Sequence, residues 1–285
     1  MYGDIRSWNT SQITDMSELF KDLQTFNVDI TRWDTSNVVN MYGMFWNAQS
    51  FNQDLSNWDT SKVQNMGHLF WNAHSFNGDL SNWNTGSVTN MVKTFYNAHV
   101  FNRQLYNWDT SSVTNMHYMF YGAYEFDQDI SIWDVSKVYD MQGMFMDTNF
   151  FDHDIGEWNT TGVTTMRKMF MNSVFNQDIS SWDVSSVEDF RNIFTGNVKF
   201  IQDISSWDLS SELYIDEYVL YDPSVGAVSI NNDNIHDAVS VCNDIPMVKI
   251  KIEQTQGYIR LSELKAYDEN DQELPIFNPY SNKLN

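Results

Sequence analysis

Hydrophobic and polar positions along residues 1–211 repeat with a period of 25 residues. Tryptophan marks the period, and its only irregular step is the 24 residues from Trp158 to Trp182. A fixed period in the range of about 20 to 50 residues indicates one supersecondary unit stacked along an axis. We therefore predict a repeat solenoid and number its units 1 to 9 by these tryptophans. They are Trp8, Trp33, Trp58, Trp83, Trp108, Trp133, Trp158, Trp182 and Trp207.

The second half of each unit carries a helical pattern. In unit 3, Met66, Leu69, Phe70 and Ala73 have the i, i+3, i+4, i+7 spacing of one helix face. Asn65 precedes them as a residue suited to accept a hydrogen bond from the first turn. The equivalent positions of units 1, 2 and 4 to 8 hold Asp, Asn or Thr. The pattern predicts one short helix per unit.

The first half of the unit reads as extended chain. Residues 54–58 predict a short strand, residues 59–61 a turn whose polar side chains bond local backbone, and Val63 a second short extended piece. Unit 7 is one residue short between Phe170 and Phe175, where a surface connector tolerates deletion. The predicted fold class is an α/β repeat solenoid, leucine-rich-repeat-like, with short strands and one short helix per unit.

Composition changes near residue 212 and divides the chain into a solenoid at 1–211 and a C-terminal segment at 212–285. All four prolines and the single cysteine lie in the second segment. Residues 247–252 alternate as a strand, 258–261 read as the return strand, and 263–267 as its extension. We expect a small β-rich cap or docking segment. The N-terminal end shows no such cap, so we expect that surface to pack on another chain or on further sequence.

Charge and motif content exclude several functional classes. A net charge of −22 argues against nucleic acid and anionic lipid as partners, and no apolar run is long enough for membrane insertion. We find no nucleophile–histidine–acid pattern, no phosphate-binding glycine loop and no His/Cys metal spacing. The carboxylates are periodic, whereas a catalytic pair is singular. We therefore expect no enzyme activity, no catalytic residues and no cofactor.

Residues at the same position of successive units form a column, and two aromatic columns are candidates for binding. The nine repeat tryptophans are either a buried stack or a partly exposed ladder able to stack on sugar rings or a partner. A second column lies just after the helix phenylalanine and off the predicted apolar face, so it is the better candidate for exposure. We therefore take this second column as the candidate binding surface, for a protein or a glycan. Its members are Trp46, Trp71, Tyr96 and Tyr121.

The polar columns leave alternatives open. One aspartate ladder, which includes Asp29, Asp54 and Asp79, consists either of side chains that bond local turns or of a row of calcium sites. His74 and His99 share a column in adjacent units, so they are expected to approach each other. They are either a pH-sensitive or metal-binding pair or two solvated loop histidines.

The repeat closely resembles the BspA-like leucine-rich repeat family over about residues 1–211. That resemblance implies a solenoid associated with adhesion and protein binding rather than catalysis, in surface proteins of bacteria, some protists and large DNA viruses. The C-terminal segment is weakly similar to discoidin-like and virion surface proteins. In unit 3 the matching positions are Phe51-Asn52, Asp54-Leu55-Ser56, Trp58-Asp59-Thr60-Ser61, Val63, Asn65-Met66 and Leu69-Phe70.

Two functions fit these expectations. One is a non-enzymatic protein-interaction or adhesion scaffold, extracellular at a cell surface or on a virion. The other is a structural component of a large assembly such as a viral capsid, docking through the N-terminal end and the C-terminal tail. A binding scaffold is expected to vary the residues on its exposed face from unit to unit. A component of an assembly is expected to bury its ends against neighbouring chains.

Overall fold

A computed structural model describes residues 4–204 and 206–208, together with the backbone of three strands near the C-terminus. A 3-10 helix spans Ile5–Ser7. Strands β1 (Lys249–Lys251), β2 (Lys265–Tyr267) and β3 (Glu273–Leu274) form an antiparallel sheet in the order β1-β2-β3. β1 confirms the strand predicted at 247–252, and β2 falls in the predicted extension at 263–267. The return strand predicted at 258–261 lies outside the described residues.

Successive units lie side by side, parallel and in register. Equivalent residues one unit apart form single parallel bridges along the column that had been predicted to cap the helices. Each bridge is flanked by further backbone hydrogen bonds between the same two units, such as Gln64 N to the Val39 carbonyl at 2.9 Å. The bridges are Asp15–Asn40, Asn40–Asn65, Asn65–Asn90, Asn90–Asn115, Asn115–Asp140, Asp140–Thr165 and Thr165–Asp189.

The predicted helix is wrong: the second half of each unit, which we call the turn segment (residues 66–73 in unit 3), is a chain of tight turns. His68 and Asn72 have left-handed φ angles of 61° and 55°, which an α-helix does not contain. Alternate amides bond the next unit, as from Phe70 N to the Thr94 carbonyl at 2.9 Å. The amides between them close three-residue turns, as from Leu69 N to the Met66 carbonyl at 3.2 Å.

Hydrogen bonding to the neighbouring unit explains why the turn segment is not a helix. A helix bonds its own amides, whereas each turn segment shares half of its amides with the segment beside it. The i, i+3, i+4, i+7 side chains still reach the core, because turns of three residues return them to one side. No α-helix occurs in residues 4–204 and 206–208. Within the part of the chain that the structure describes, no helix has the length and apolar character of a membrane span.

The predicted apolar columns form one continuous core between the two halves of the units. Phenylalanine rings stack along the column, with centroids of Phe45 and Phe70 5.5 Å apart and their planes 2° from parallel. Phe45 of unit 2 also stacks on Phe51, the first residue of unit 3, with ring centroids 4.0 Å apart. Full burial of each such side chain contributes about 1.5 to 3 kcal/mol. The repeated apolar pattern is therefore the main source of stability of the stack.

The one-residue deletion in unit 7 is absorbed in its connector. Backbone bonding to unit 8 continues beside it, with Phe170 N donating to the Ile193 carbonyl at 2.9 Å. Asn197 of unit 8 is fully buried and donates to the Ser173 hydroxyl at 3.2 Å and to the Phe175 carbonyl at 2.9 Å. Asn197 thus occupies a column that holds alanine in units 2 to 5. Its side-chain amide supplies hydrogen bonds to buried acceptors of the shortened connector.

Candidate binding surface

The four aromatic residues predicted to be exposed form one row, which we call the aromatic strip (Trp46, Trp71, Tyr96 and Tyr121). Each follows the buried phenylalanine of its turn segment, so its ring leaves the core, and each is half-buried. Ring centroids of Trp46 and Trp71 are 4.4 Å apart, those of Trp71 and Tyr96 5.2 Å, and those of Tyr96 and Tyr121 4.4 Å. The structure therefore brings all four predicted residues into one continuous surface.

The strip presents ring edges more than ring faces. The Trp46 and Trp71 planes are 8° from parallel, so one face of each ring covers a face of the other. The Lys21 ammonium lies 3.9 Å from the centroid of Trp46 as a cation–π contact. A sugar ring stacks on an open aromatic face, and these neighbours occupy such faces. Ring edges carry the positive part of the aromatic quadrupole, so the strip favours electron-rich groups.

His68 lies between the first two rings of the strip and was not singled out by the sequence. Its ring meets Trp46 and Trp71 edge-on, at centroid distances of 5.5 and 4.8 Å, and its Nδ1 is hydrogen-bonded to the Tyr42 hydroxyl at 3.0 Å. Burial, and then the positive charge of Lys93, lower the pKa of His68 to about 4. His68 is therefore neutral at about pH 7, and it experiences a net positive local field.

Lys93 is the second residue of this surface that sequence reasoning missed. Its ammonium lies 4.7 Å from the ring centroid of Trp71, 5.6 Å from that of Tyr96 and 5.9 Å from that of Tyr118. Lys21, by contrast, pairs with Glu18 at 2.8 Å. The signal that Lys93 belongs here was its column, because His68 and Tyr118 occupy the same position in units 3 and 5.

The nine repeat tryptophans form a buried stack beyond unit 1, which decides between the two alternatives for this column. Trp8 is 42% exposed, whereas the other eight are at most 4% exposed. Rings one unit apart stack, as Trp83 does on Trp108 at 6.2 Å. This column is part of the core and offers no aromatic ladder to a ligand in units 2 to 9.

The aspartate ladder has the geometry of local turns. Asp29, Asp54 and Asp79 each accept a hydrogen bond from the backbone amide two residues on, at 3.0, 2.8 and 2.9 Å. The hydroxyl and amide of Thr31 lower the pKa of Asp29 in this way. Among residues 4–204 and 206–208, no three His, Cys, Asp or Glu side chains are grouped for a metal ion. The carboxylates are thus oriented to backbone amides as the turn alternative predicts.

His74 and His99 do approach each other, as their shared column predicted. Their rings stack with centroids 4.3 Å apart and planes 7° from parallel, and Tyr124 continues the row 4.7 Å from His99. Burial lowers the pKa of both histidines, and the charge of His74 lowers that of His99 further. The pair therefore disfavours protonation of both rings in the folded state.

The stacked units define the chain as a repeat protein. It matches one family over residues 1–106, 79–174 and 154–241. Because these matches together cover more than half of the sequence, the chain belongs to that family, which is described as "Mycoplasma protein of unknown function, DUF285". The third match extends beyond the boundary predicted near residue 211. The comparisons with curated proteins and with solved structures each found no match.

Proposed function

We propose that the chain is a non-enzymatic protein-interaction or adhesion scaffold that uses the aromatic strip as its binding surface. In this proposal the stack of units is a solenoid of the leucine-rich-repeat class, displayed extracellularly on a cell surface or on a virion. The resemblance of the repeat to BspA-like surface proteins supports the class and the location. Because that family is associated with adhesion, the same resemblance supports binding in preference to catalysis.

The observation that carries this proposal is the continuity of the aromatic strip. Protein-binding hot spots are rich in tryptophan and tyrosine that are already partly buried and held by neighbours, because little side-chain entropy is then lost on binding. Trp46, Trp71, Tyr96 and Tyr121 meet both conditions, since each is half-buried and stacked. The turn segments of units 1, 6, 7 and 8 carry lysine, methionine or threonine at this position.

Site-specific photo-cross-linking on the native cell or particle surface tests the proposal. A benzophenone amino acid replaces Tyr121 in the strip, and as the matched control it replaces Tyr106, a tyrosine that is 43% exposed outside the strip. We expect a discrete cross-linked protein from position 121 and none from position 106. Equal cross-linking from both positions, or none from position 121, contradicts the proposal.

A second function, a structural part of a large assembly, is favoured by the surface of unit 1. This surface exposes three apolar side chains, Trp8, Leu19 and Leu23, by 42%, 44% and 49%. The residues at the same positions of later units are buried in the core. We propose that this surface packs against a neighbouring chain in such an assembly. Light scattering at increasing protein concentration tests this proposal, because association raises the measured mass. Leu23→Lys is expected to abolish that rise in mass. Ile132→Lys is the control and is expected to retain it, because Ile132 is 54% exposed in the middle of the stack. A constant monomer mass contradicts this function.

A further inference from the structure

The charge of Lys93 is left uncompensated at the centre of the aromatic surface. Its ammonium contacts the rings of Trp71, Tyr96 and Tyr118. Within the part of the chain that the structure describes, no carboxylate lies within ion-pair distance of it. Lys62, Lys137, Lys168 and Lys199 also lack an ion pair among the described residues, so what distinguishes Lys93 is its contact with three aromatic rings. The surface thus holds a cation among aromatic rings without an anion to neutralise it.

The surroundings of Lys93 make this spot locally positive on an acidic protein. Lys93, His117 and Lys21 all contribute to the lowered pKa of His68, and burial is the only larger cause. The exposed edges of the stacked rings of the strip add partial positive charge. Two rows of turn aspartates, by contrast, belong to other columns of the unit, beside Leu55 and after Trp58. The field at His68 is therefore positive, with Glu18 opposing it, whereas Asp147 hydrogen-bonds Tyr121 at the other end of the strip.

We propose that this surface binds an acidic segment of a protein partner and that Lys93 pairs with a carboxylate of that segment. The inference rests on the proposed function and names the chemistry of the partner. A single ammonium held among rings matches a single carboxylate, whereas a polyphosphate backbone requires a row of cations. A carboxylate placed on Lys93 would be partly shielded from water by Trp71, Tyr96 and Tyr118. That shielding strengthens a charge-assisted hydrogen bond relative to the same pair in solvent.

Selection from a random twelve-residue peptide display library tests this inference on the full chain. The wild-type protein is expected to enrich peptides containing Asp or Glu. Lys93→Gln is expected to weaken binding of the enriched peptides at least tenfold, measured by fluorescence anisotropy. Lys168→Gln is the matched control, because Lys168 occupies the same column with the same left-handed backbone, at φ 59° against 54° for Lys93. The control is expected to bind as the wild type does.

Charge reversal gives the sharpest outcome. Lys93→Glu is expected to enrich basic peptides in the same selection and to reject the acidic ones. The substitution is compatible with the fold, because Glu18 occupies the same column at φ 55°. Enrichment of neutral or basic peptides by the wild type overturns the inference, as does acidic-peptide binding that Lys93→Gln leaves unchanged. Cross-linking at position 121 combined with either result retains the proposed function and rejects the acidic partner.

Discussion

The indole nitrogen of Trp83 donates a hydrogen bond to the carbonyl oxygen of Leu55, 2.9 Å away and one unit earlier. The same bond recurs along the column, for example from Trp133 to the Leu105 carbonyl at 3.2 Å. Each carbonyl also closes the turn of its own unit, as Leu55 does with the amide of Trp58 at 3.0 Å. One buried carbonyl thus accepts hydrogen bonds from a turn of its own unit and from the tryptophan of the next unit. The turn conformation and the register between the two units therefore depend on the same atom.

Replacement of Trp83 by phenylalanine is expected to lower the free energy of unfolding by about 2 to 3 kcal/mol. About 1 kcal/mol comes from the lost hydrogen bond and the remainder from the volume left behind the smaller ring. Urea denaturation followed by circular dichroism measures the change. Trp8→Phe is the control, since Trp8 is 42% exposed, and its effect is expected to stay below about 1 kcal/mol. Equal effects at both positions contradict a role for the column in joining units.

Lys168 allows a direct test of the turn segment against the helix that its hydrophobic spacing predicts. Lys168 has a left-handed φ of 59°. Glycine adopts this conformation without strain, whereas alanine is disfavoured by about 1 kcal/mol or more. We therefore expect Lys168→Gly to be more stable than Lys168→Ala in urea denaturation. A helix reverses the order, with alanine favoured by about 1 kcal/mol.

The positions of the core residues could be predicted from the sequence, because the same positions of the 25-residue repeat are apolar in successive units. The backbone of the turn segment could not, because Met66, Leu69, Phe70 and Ala73 satisfy a helix and a chain of turns equally well. One signal was present. The last left-handed column holds Asp, Asn or Gly in each of units 1 to 8, and these residues tolerate positive φ better than others. Its members are Asp22, Asn47, Asn72, Asn97, Gly122, Asp147, Asn172 and Gly196.

The candidate surface was predictable as a column but not as a geometry. Position in the unit placed Trp46, Trp71, Tyr96 and Tyr121 outside the core. Their mutual stacking depends on the distance between units and on side-chain rotamers, which the spacing of residues along the chain does not indicate. The contact of Lys93 with Tyr118 joins the same column of two neighbouring units, so no pattern within one unit indicates it.

Asp54 distinguishes the turn and calcium alternatives for the aspartate ladder. Asp54→Asn is expected to change the free energy of unfolding by less than about 0.5 kcal/mol, because an amide oxygen still accepts the Ser56 N–H bond seen at 2.8 Å. Asp54→Ala, which removes that acceptor, is expected to cost about 1 kcal/mol. Thermal denaturation in calcium chloride and in magnesium chloride at equal ionic strength completes the measurement. A midpoint raised by calcium alone, and lost in Asp54→Asn, supports the calcium sites instead.

Stability is expected to fall between about pH 6.5 and pH 4 because of three half-buried histidines. The pKa values of His68, His74 and His99 are lowered in the folded state, to about 4 for His68. In this window the unfolded chain binds more protons than the folded one, so acidification favours unfolding. The contribution of His68 is about 1 to 2 kcal/mol after a discount for solvent screening. Hydrogen bonds from Ser36 lower the pKa of Asp34 below its usual value of 3.8. The stability that such turn carboxylates contribute is therefore lost only as the pH falls below about 4.

Urea midpoints measured from about pH 7 to pH 4.5 test this dependence, with His68→Gln as the variant. Glutamine does not titrate, so the variant is expected to show a shallower slope than the wild type while the contribution of His74 and His99 persists. The two slopes are compared at constant ionic strength, because salt screens the effect of Lys93 and Lys21 on His68. Identical slopes would mean that His68 is protonated as readily in the folded chain as in the unfolded one. That result would remove the support that the local positive field gives to an acidic partner.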